Sequence, residues 1–159
     1  MTVVSTDNIH TLVGRVYIPS DQIKGLFHIV HGMTEHIERY DPLMSYLAEH
    51  GYVAFGFDNL GHGKTAKDDS ELGFFAHTNG WKYLVDDVYE YENAVKNLFP
   101  EKKLILFGHS MGSFIARLAA ESFNGNYEKL IICGTSGKNP MAAAGLLLTQ
   151  AIKFIKGEK

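Results

Sequence analysis

The strongest constraint in this sequence is a rhythm. Short, almost wholly apolar runs alternate with segments whose apolar residues recur at helical spacing. The runs are Gly25–Val30, Tyr52–Phe57, Leu104–Phe107 and Leu130–Cys133. Between the second and third, Trp81, Leu84, Val85, Val88, Tyr91, Val95 and Leu98 mark one face of a long helix that Pro100 closes. Asp41 is placed to cap an earlier helix, with Pro42 in its first turn and Gly51 as its stop. A third helix is expected over Met111–Phe123, and a last one from Pro140 to about Lys156 with Asn139 as its cap. An apolar run without alternation is a strand covered on both faces. Repeated strand–helix–strand units join such strands in parallel through right-handed crossovers. The reading is therefore α/β: a mainly parallel sheet flanked by helices. Val3–Ser5 and Leu12–Ile18, split by the turn-prone Asp7-Asn8, add an antiparallel hairpin at the start. Residues 59–78 form a loop carrying the exposed-looking pair Phe74-Phe75.

In sheets of this kind ligands gather at the C-terminal ends of the strands. His31, Asp58 and Ser110 each stand at such an end. The last belongs to Gly108-His109-Ser110-Met111-Gly112, a G-x-S-x-G between a buried strand and a helix. A serine there must occupy a sharp turn that lifts its hydroxyl above the sheet edge. Side chains two positions away on either side would strike backbone, which is why both are glycine. The helix that follows points its free N–H groups at the serine and favours negative charge there. Ser110 is thus the expected nucleophile, with the Met111 amide as one donor to an oxyanion. The second donor is expected from the loop after the adjoining strand, His31-Gly32-Met33-Thr34-Glu35-His36, through the Met33 amide. Gly108, His109, Gly112, His31, Gly32, Glu35, His36 and Asp58 are read as support for the elbow and the loop. Within that set His31, Glu35 and His36 are expected to share a hydrogen-bonded network.

Two rival chemistries fail on spacing. His31, Glu35 and His36 follow H-x-x-x-E-H off any helix, which matches neither zinc-binding arrangement, so no metal is expected. Gly61-His62-Gly63-Lys64-Thr65 resembles the end of a phosphate-binding loop, but that motif requires glycine where Asp58 stands. Asp58 is expected instead to bond the backbone of the loop. The formal charge of −3 gives no reason to expect nucleic acid, and no cofactor is implied. Cys133 is the single cysteine, read as a buried, inert thiol in a reducing, cytoplasmic setting. Neither a basic-then-apolar leader nor an apolar run long enough to span a membrane is visible.

The three motifs at His31–His36, Asp58–Thr65 and Gly108–Gly112, in this order, resemble the monoglyceride lipase and lysophospholipase group of α/β-hydrolases. The resemblance includes the hairpin and Gly134-Thr135. It differs at Asn59-Leu60, where members often carry His-Arg or His-Leu, and at Thr65, where Ser is common. It implies a serine hydrolase of carboxylic esters such as monoacylglycerol or lysophospholipid, working through an acyl-enzyme at Ser110. It also implies a triad completed by an Asp and then a His, and neither residue occurs after Ser110. Residues 1–135 then correspond to the N-terminal part of the core and 136–159 to the start of a helical cap, a fold truncated after its sixth core strand. The alternative is a non-catalytic fragment, or one half of a split, two-chain hydrolase. Expected partners are a small acyl ester or lipid, a membrane surface touched through the cap, and either a second copy or a missing C-terminal half.

Overall fold

The computed structural model describes residues 1–137, and beyond them Gly145, Thr149, Gln150, Ile152 and Phe154. A six-stranded sheet organises the chain. In chain order the elements are β1 (Thr2–Val4), β2 (Thr11–Tyr17), β3 (Gly25–Val30), α1 (Asp41–Glu49), β4 (Tyr52–Phe57), α2 (Gly80–Leu98), β5 (Leu104–His109), α3 (Met111–Ser122) and β6 (Lys129–Cys133). Their spatial order is β1-β2-β4-β3-β5-β6. β1–β2 and β2–β4 run antiparallel, while β3, β4, β5 and β6 are mutually parallel. The expectation of α/β architecture with an opening hairpin holds. The last-helix expectation, Pro140 to about Lys156 with its Asn139 cap, falls outside the described residues apart from the five named above.

The pleat explains how one sheet buries two faces. On β3, Leu26 and Val30 join the cluster under α2 and α3, while Phe27 and Ile29 pack with Met44 of α1 and with Ile37. β4 repeats the alternation, with Val53, Phe55 and Phe57 on one side and Ala54 on the other. His28 occupies the α2-facing position between Leu26 and Val30 and is fully buried. A buried imidazole needs a partner. Glu92 of α2 supplies it at 2.9 Å from Nδ1, and the Tyr127 hydroxyl donates to the other Glu92 oxygen at 2.9 Å. Burial, then the Glu92 charge, pushes the Tyr127 hydroxyl well above the usual phenol range. The hairpin is pinned similarly. Buried Asp87 of α2 accepts from the Ser5 hydroxyl at 2.9 Å and the Thr6 amide at 2.7 Å.

Three details differ from the sequence reading. Asp41 is the first residue of α1 rather than its cap, because a 3-10 turn, Ile37–Tyr40, leads directly into the helix and makes Tyr40 the cap residue. Phe75 is half-buried, stacked on His62 at 5.9 Å, whereas Phe74 is exposed. Cys133 is exposed, not buried. It shares that exposure with the whole of β6, where Leu130, Ile131 and Ile132 are each about 40% accessible. β6 has β5 on one side and no strand on its other edge among the described residues.

Candidate active site

Ser110 stands between β5 and α3 with φ 50° and ψ −118°, a conformation that L-residues rarely adopt. Strain of this kind costs about 1–3 kcal/mol and persists only where surrounding structure enforces it. Both flanking glycines show the enforcement. A methyl on Gly108 would overlap the Gly112 carbonyl oxygen. A methyl on Gly112 would overlap the Val30 carbonyl oxygen and lie 2.6 Å from that of His31. The helix therefore begins pressed against the C-terminal end of β3, which pairs with β5 through Val30 and Gly108. The turn is tied on its other side by the Ser110 amide donating to the Cys133 carbonyl at 2.9 Å, and within α3 by Ser113 Oγ donating to the Ser110 carbonyl at 2.6 Å. Met111 opens α3, so its amide has no acceptor within the helix.

The loop after β3 lies against this turn. A Cβ on Gly32 would meet Ser110 Cβ at 3.1 Å. Thr34 holds φ 56° in the middle of the loop, the left-handed region that a β-branched residue resists. The fixed point is Glu35. Its Oε1 accepts from the Gly32 amide, from Tyr40 Oη at 2.9 Å and from His109 Nδ1 at 2.9 Å. Arg39 approaches the second oxygen at 3.4 Å. Burial alone would raise this carboxyl, but the bonds from His109, Gly32 and Tyr40 outweigh it and hold Glu35 below the usual range. One ionised carboxylate thus joins the loop of β3 to the elbow of β5. Arg39 offsets part of that charge.

His31 is oriented by different partners. Its Nδ1–H donates to the Gly32 carbonyl at 2.8 Å, while Nε2 accepts from the Asn59 amide at 2.9 Å. That set fits only the neutral ring, and burial is the main force pushing its pKa down to about 4. A folded-state pKa below the unfolded value means stability present above pH ~6.5 and lost as the pH falls through about 4. We expect this group to remove about 3 kcal/mol across that window. Urea unfolding between pH 7 and 4 should show the loss, and H31Q should flatten it.

Asp58 bonds the loop backbone as expected, accepting from the Ile37 and Lys64 amides at 2.7 Å each. The expected His31–Glu35–His36 network does not form as one unit. Glu35 binds His109, His31 binds Asn59, and the half-buried His36 bonds only through its carbonyl, to the Arg39 amide, its ring having no hydrogen-bond partner among the described residues. Sequence reasoning missed Arg39, Tyr40 and Asn59. The i, i+4 spacing of Glu35 and Arg39 was a usable signal. The reach of Tyr40 was not, because it depends on the 3-10 turn.

Positions 21–156 match the model of the family described as serine aminopeptidase, S33. The chain belongs to the S33 hydrolase family. Within it, the chain is an α/β-hydrolase of the monoglyceride lipase-like group. The rat monoglyceride lipase is 31% identical over 118 residues, covering 74% of this chain and 37% of that protein. A monoglyceride lipase homolog of Monkeypox virus is 36% identical over 97 residues, 61% of this chain and 33% of that protein. Among solved structures, a thermostable carboxyl esterase from Bacillus coagulans, crystallised with glycerol, superimposes with a TM-score of 0.89 at 32% identity. That match covers 100% of this chain and 51% of the esterase. The S33 chain described here therefore spans about a third of the curated relatives it matches and half of that esterase. Among its described residues no helix is long and apolar enough to cross a membrane.

Proposed function

We propose that the chain carries the nucleophile and oxyanion hole of a serine hydrolase acting on carboxylic esters, monoacylglycerol, lysophospholipid or a similar acyl ester. The observation that carries this is the strained Ser110 at the N-terminus of α3, packed against the Gly32 loop. Ser110 Oγ attacks the ester carbonyl carbon, and the carbonyl oxygen takes the charge between the amides of Met33 and Met111. The carbon–alkoxy bond then breaks, the alcohol departs with the serine proton, and an acyl-serine remains. Gly108 and Gly112 permit the turn, Glu35 and His109 hold loop and elbow together, and His31, Gly32 and Asp58 fix the loop bases.

Among the described residues no hydrogen bond joins the Ser110 hydroxyl to a histidine ring or a carboxylate. The rings of His28, His31, His62 and His109 are held by Glu92, Asn59, the Leu60 carbonyl and Glu35 respectively. This favours a second reading, that the chain acts as one half of a two-chain hydrolase whose Asp and His arrive on another polypeptide. The exposed apolar β6 supports it. On either reading residues 136–159 begin a cap, and the apolar stretch from Met141 suits contact with a lipid surface. The exposed lone thiol of Cys133 suits the reducing cytoplasm.

The test is acylation. Incubated with p-nitrophenyl butyrate, the chain should gain one butyryl group on Ser110. S110A should gain none. Butyrylation at another residue, or equal butyrylation of S110A, overturns the assignment.

A further inference from the structure

The turn between β1 and β2 carries a histidine held between two carboxylates. His10 Nδ1 lies 2.5 Å from Asp7 Oδ2, and Nε2 lies 3.2 Å from Glu71 Oε2. Glu71 ends the short 3-10 turn Asp69–Glu71 in the loop after β4. Asp7 is fixed within its own turn, accepting from the Ile9 amide at 2.8 Å and the His10 amide at 2.9 Å. Glu71 is fixed within its own, since the oxygen that meets His10 also accepts from the Lys67 amide at 2.7 Å. Burial would raise the Asp7 carboxyl, but the amide and ring bonds of His10 outweigh it. The Lys67 amide and then the His10 ring lower that of Glu71. Both carboxyls are thus held below their usual range.

A neutral imidazole has one N–H and one lone pair, so it donates to one carboxylate; an imidazolium donates to two. A neutral His10 keeps its N–H on Asp7, the closer partner, and turns the Nε2 lone pair toward an ionised Glu71. The bridge from hairpin to loop is therefore complete only when the ring is protonated. The other charges around it are Lys67, beside Glu71, and Asp87 of α2, beside Asp7. Asp87 is occupied by Ser5 and Thr6, and Asp68 on the loop accepts from the Ser70 amide at 2.8 Å.

Packing does little to hold the loop at this point. Residues 67–70 and 72–74 are exposed, and nothing lies within 4 Å of a Cβ built on Gly73. A second tie is the Gly73 amide, which donates to the Gly61 carbonyl at 2.8 Å. Leu72 and Gly73 form one wall of an open cleft of about 520 Å³, and the opposite wall is the loop after β3, Met33 to His36. Whatever fixes Glu71 thus fixes that wall.

We propose that His10 is a proton-dependent clasp: its protonated ring pins the Asp69–Glu71 turn, and with it the Leu72-Gly73 wall, to the hairpin, and loss of the proton releases them. The clasp is closed in mild acid and opens as the pH rises. His31 responds with the opposite sign and in a lower range, losing its bonds as the pH falls through about 4. Nothing in the clasp depends on the ester reading.

The protection of the Gly73 amide against hydrogen exchange, measured in the whole chain, reads the clasp. Its protection factor should fall about tenfold between about pH 5 and about pH 8, the span in which histidines exchange their proton. The His10 Cε1 proton resonance should titrate in step with that fall, while the amide of Ile29 in β3 stays protected throughout. E71Q keeps an acceptor for the Lys67 amide but removes the charge that the imidazolium meets, so its Gly73 protection should be low at both ends of the span. H10Q, which carries no titrating proton, should behave in the same way. His36 and His62 also line the cleft, and both variants retain them. A fall that survives in E71Q or H10Q would belong to those rings and overturns the proposal, as does Gly73 protection that is equal at both pH values in the parent chain.

Discussion

G112A should cost the chain about 3 kcal/mol of stability and reduce acylation of Ser110 by about a hundredfold or more. The added methyl has backbone on the side it must enter, the carbonyls of Val30 and His31. Flexible side chains could swing away, but these carbonyls terminate the central strand of the sheet and cannot. Either the start of α3 retreats from β3 or the Ser110 turn relaxes from its strained dihedrals. Both moves carry the Met111 amide away from the Met33 loop, so the chemical loss exceeds what the stability loss alone would give. Denaturant unfolding measures the first effect, and the rate of butyryl-serine formation at a denaturant-free pH 7 measures the second. A variant that acylates normally would show that the close approach of α3 to β3 has no part in the site.

E92A should lose about 3–5 kcal/mol, the largest effect on stability expected from a residue remote from the site. The substitution leaves the buried His28 ring and the Tyr127 hydroxyl without their shared acceptor. His28 Nε2 already lacks a partner among the described residues, so no spare bond softens the loss. E92Q keeps an acceptor and should lose much less. Replacing the group together, H28L with E92L and Y127F, should recover most of the stability, because the network costs desolvation that leucine and phenylalanine do not. Urea unfolding of the three variants checks the ordering. An E92A chain as stable as the parent would mean that His28 finds another partner in solution.

The parts legible in the sequence were those governed by local rules. Gly25–Val30 and Tyr52–Phe57 agree with β3 and β4 to the residue, because apolar runs interrupted only by His28, one bounded by Lys24 and His31 and the other by Gly51 and Asp58, leave little choice of boundary. The elbow was legible because its glycines are a steric necessity, and the clashes at Gly108 and Gly112 bear that out. What stayed hidden depends on distant approach. Nothing in the spacing of His28 and Glu92, 64 positions apart, announces that α2 lays one on the other. Glu35 could be assigned to its loop, but its bond to His109, 74 positions on, required the β3–β5 register. Cys133 was misplaced for a related reason: apolar neighbours argue burial only when something packs on them, and the described residues cover β6 on one edge alone.

The central claim is geometric: two backbone amides from separate loops converge on one point above Ser110. Phosphonylation of Ser110 with an ethyl fluorophosphonate places a strongly polarised phosphoryl oxygen at that point. The amide proton resonances of Met33 and Met111 in 15N-labelled chain, recorded before and after, report whether both donate to it. The account predicts that both move downfield together while amides elsewhere on α3 stay nearly fixed. A phosphonyl group on Ser110 that leaves either amide unmoved would contradict it.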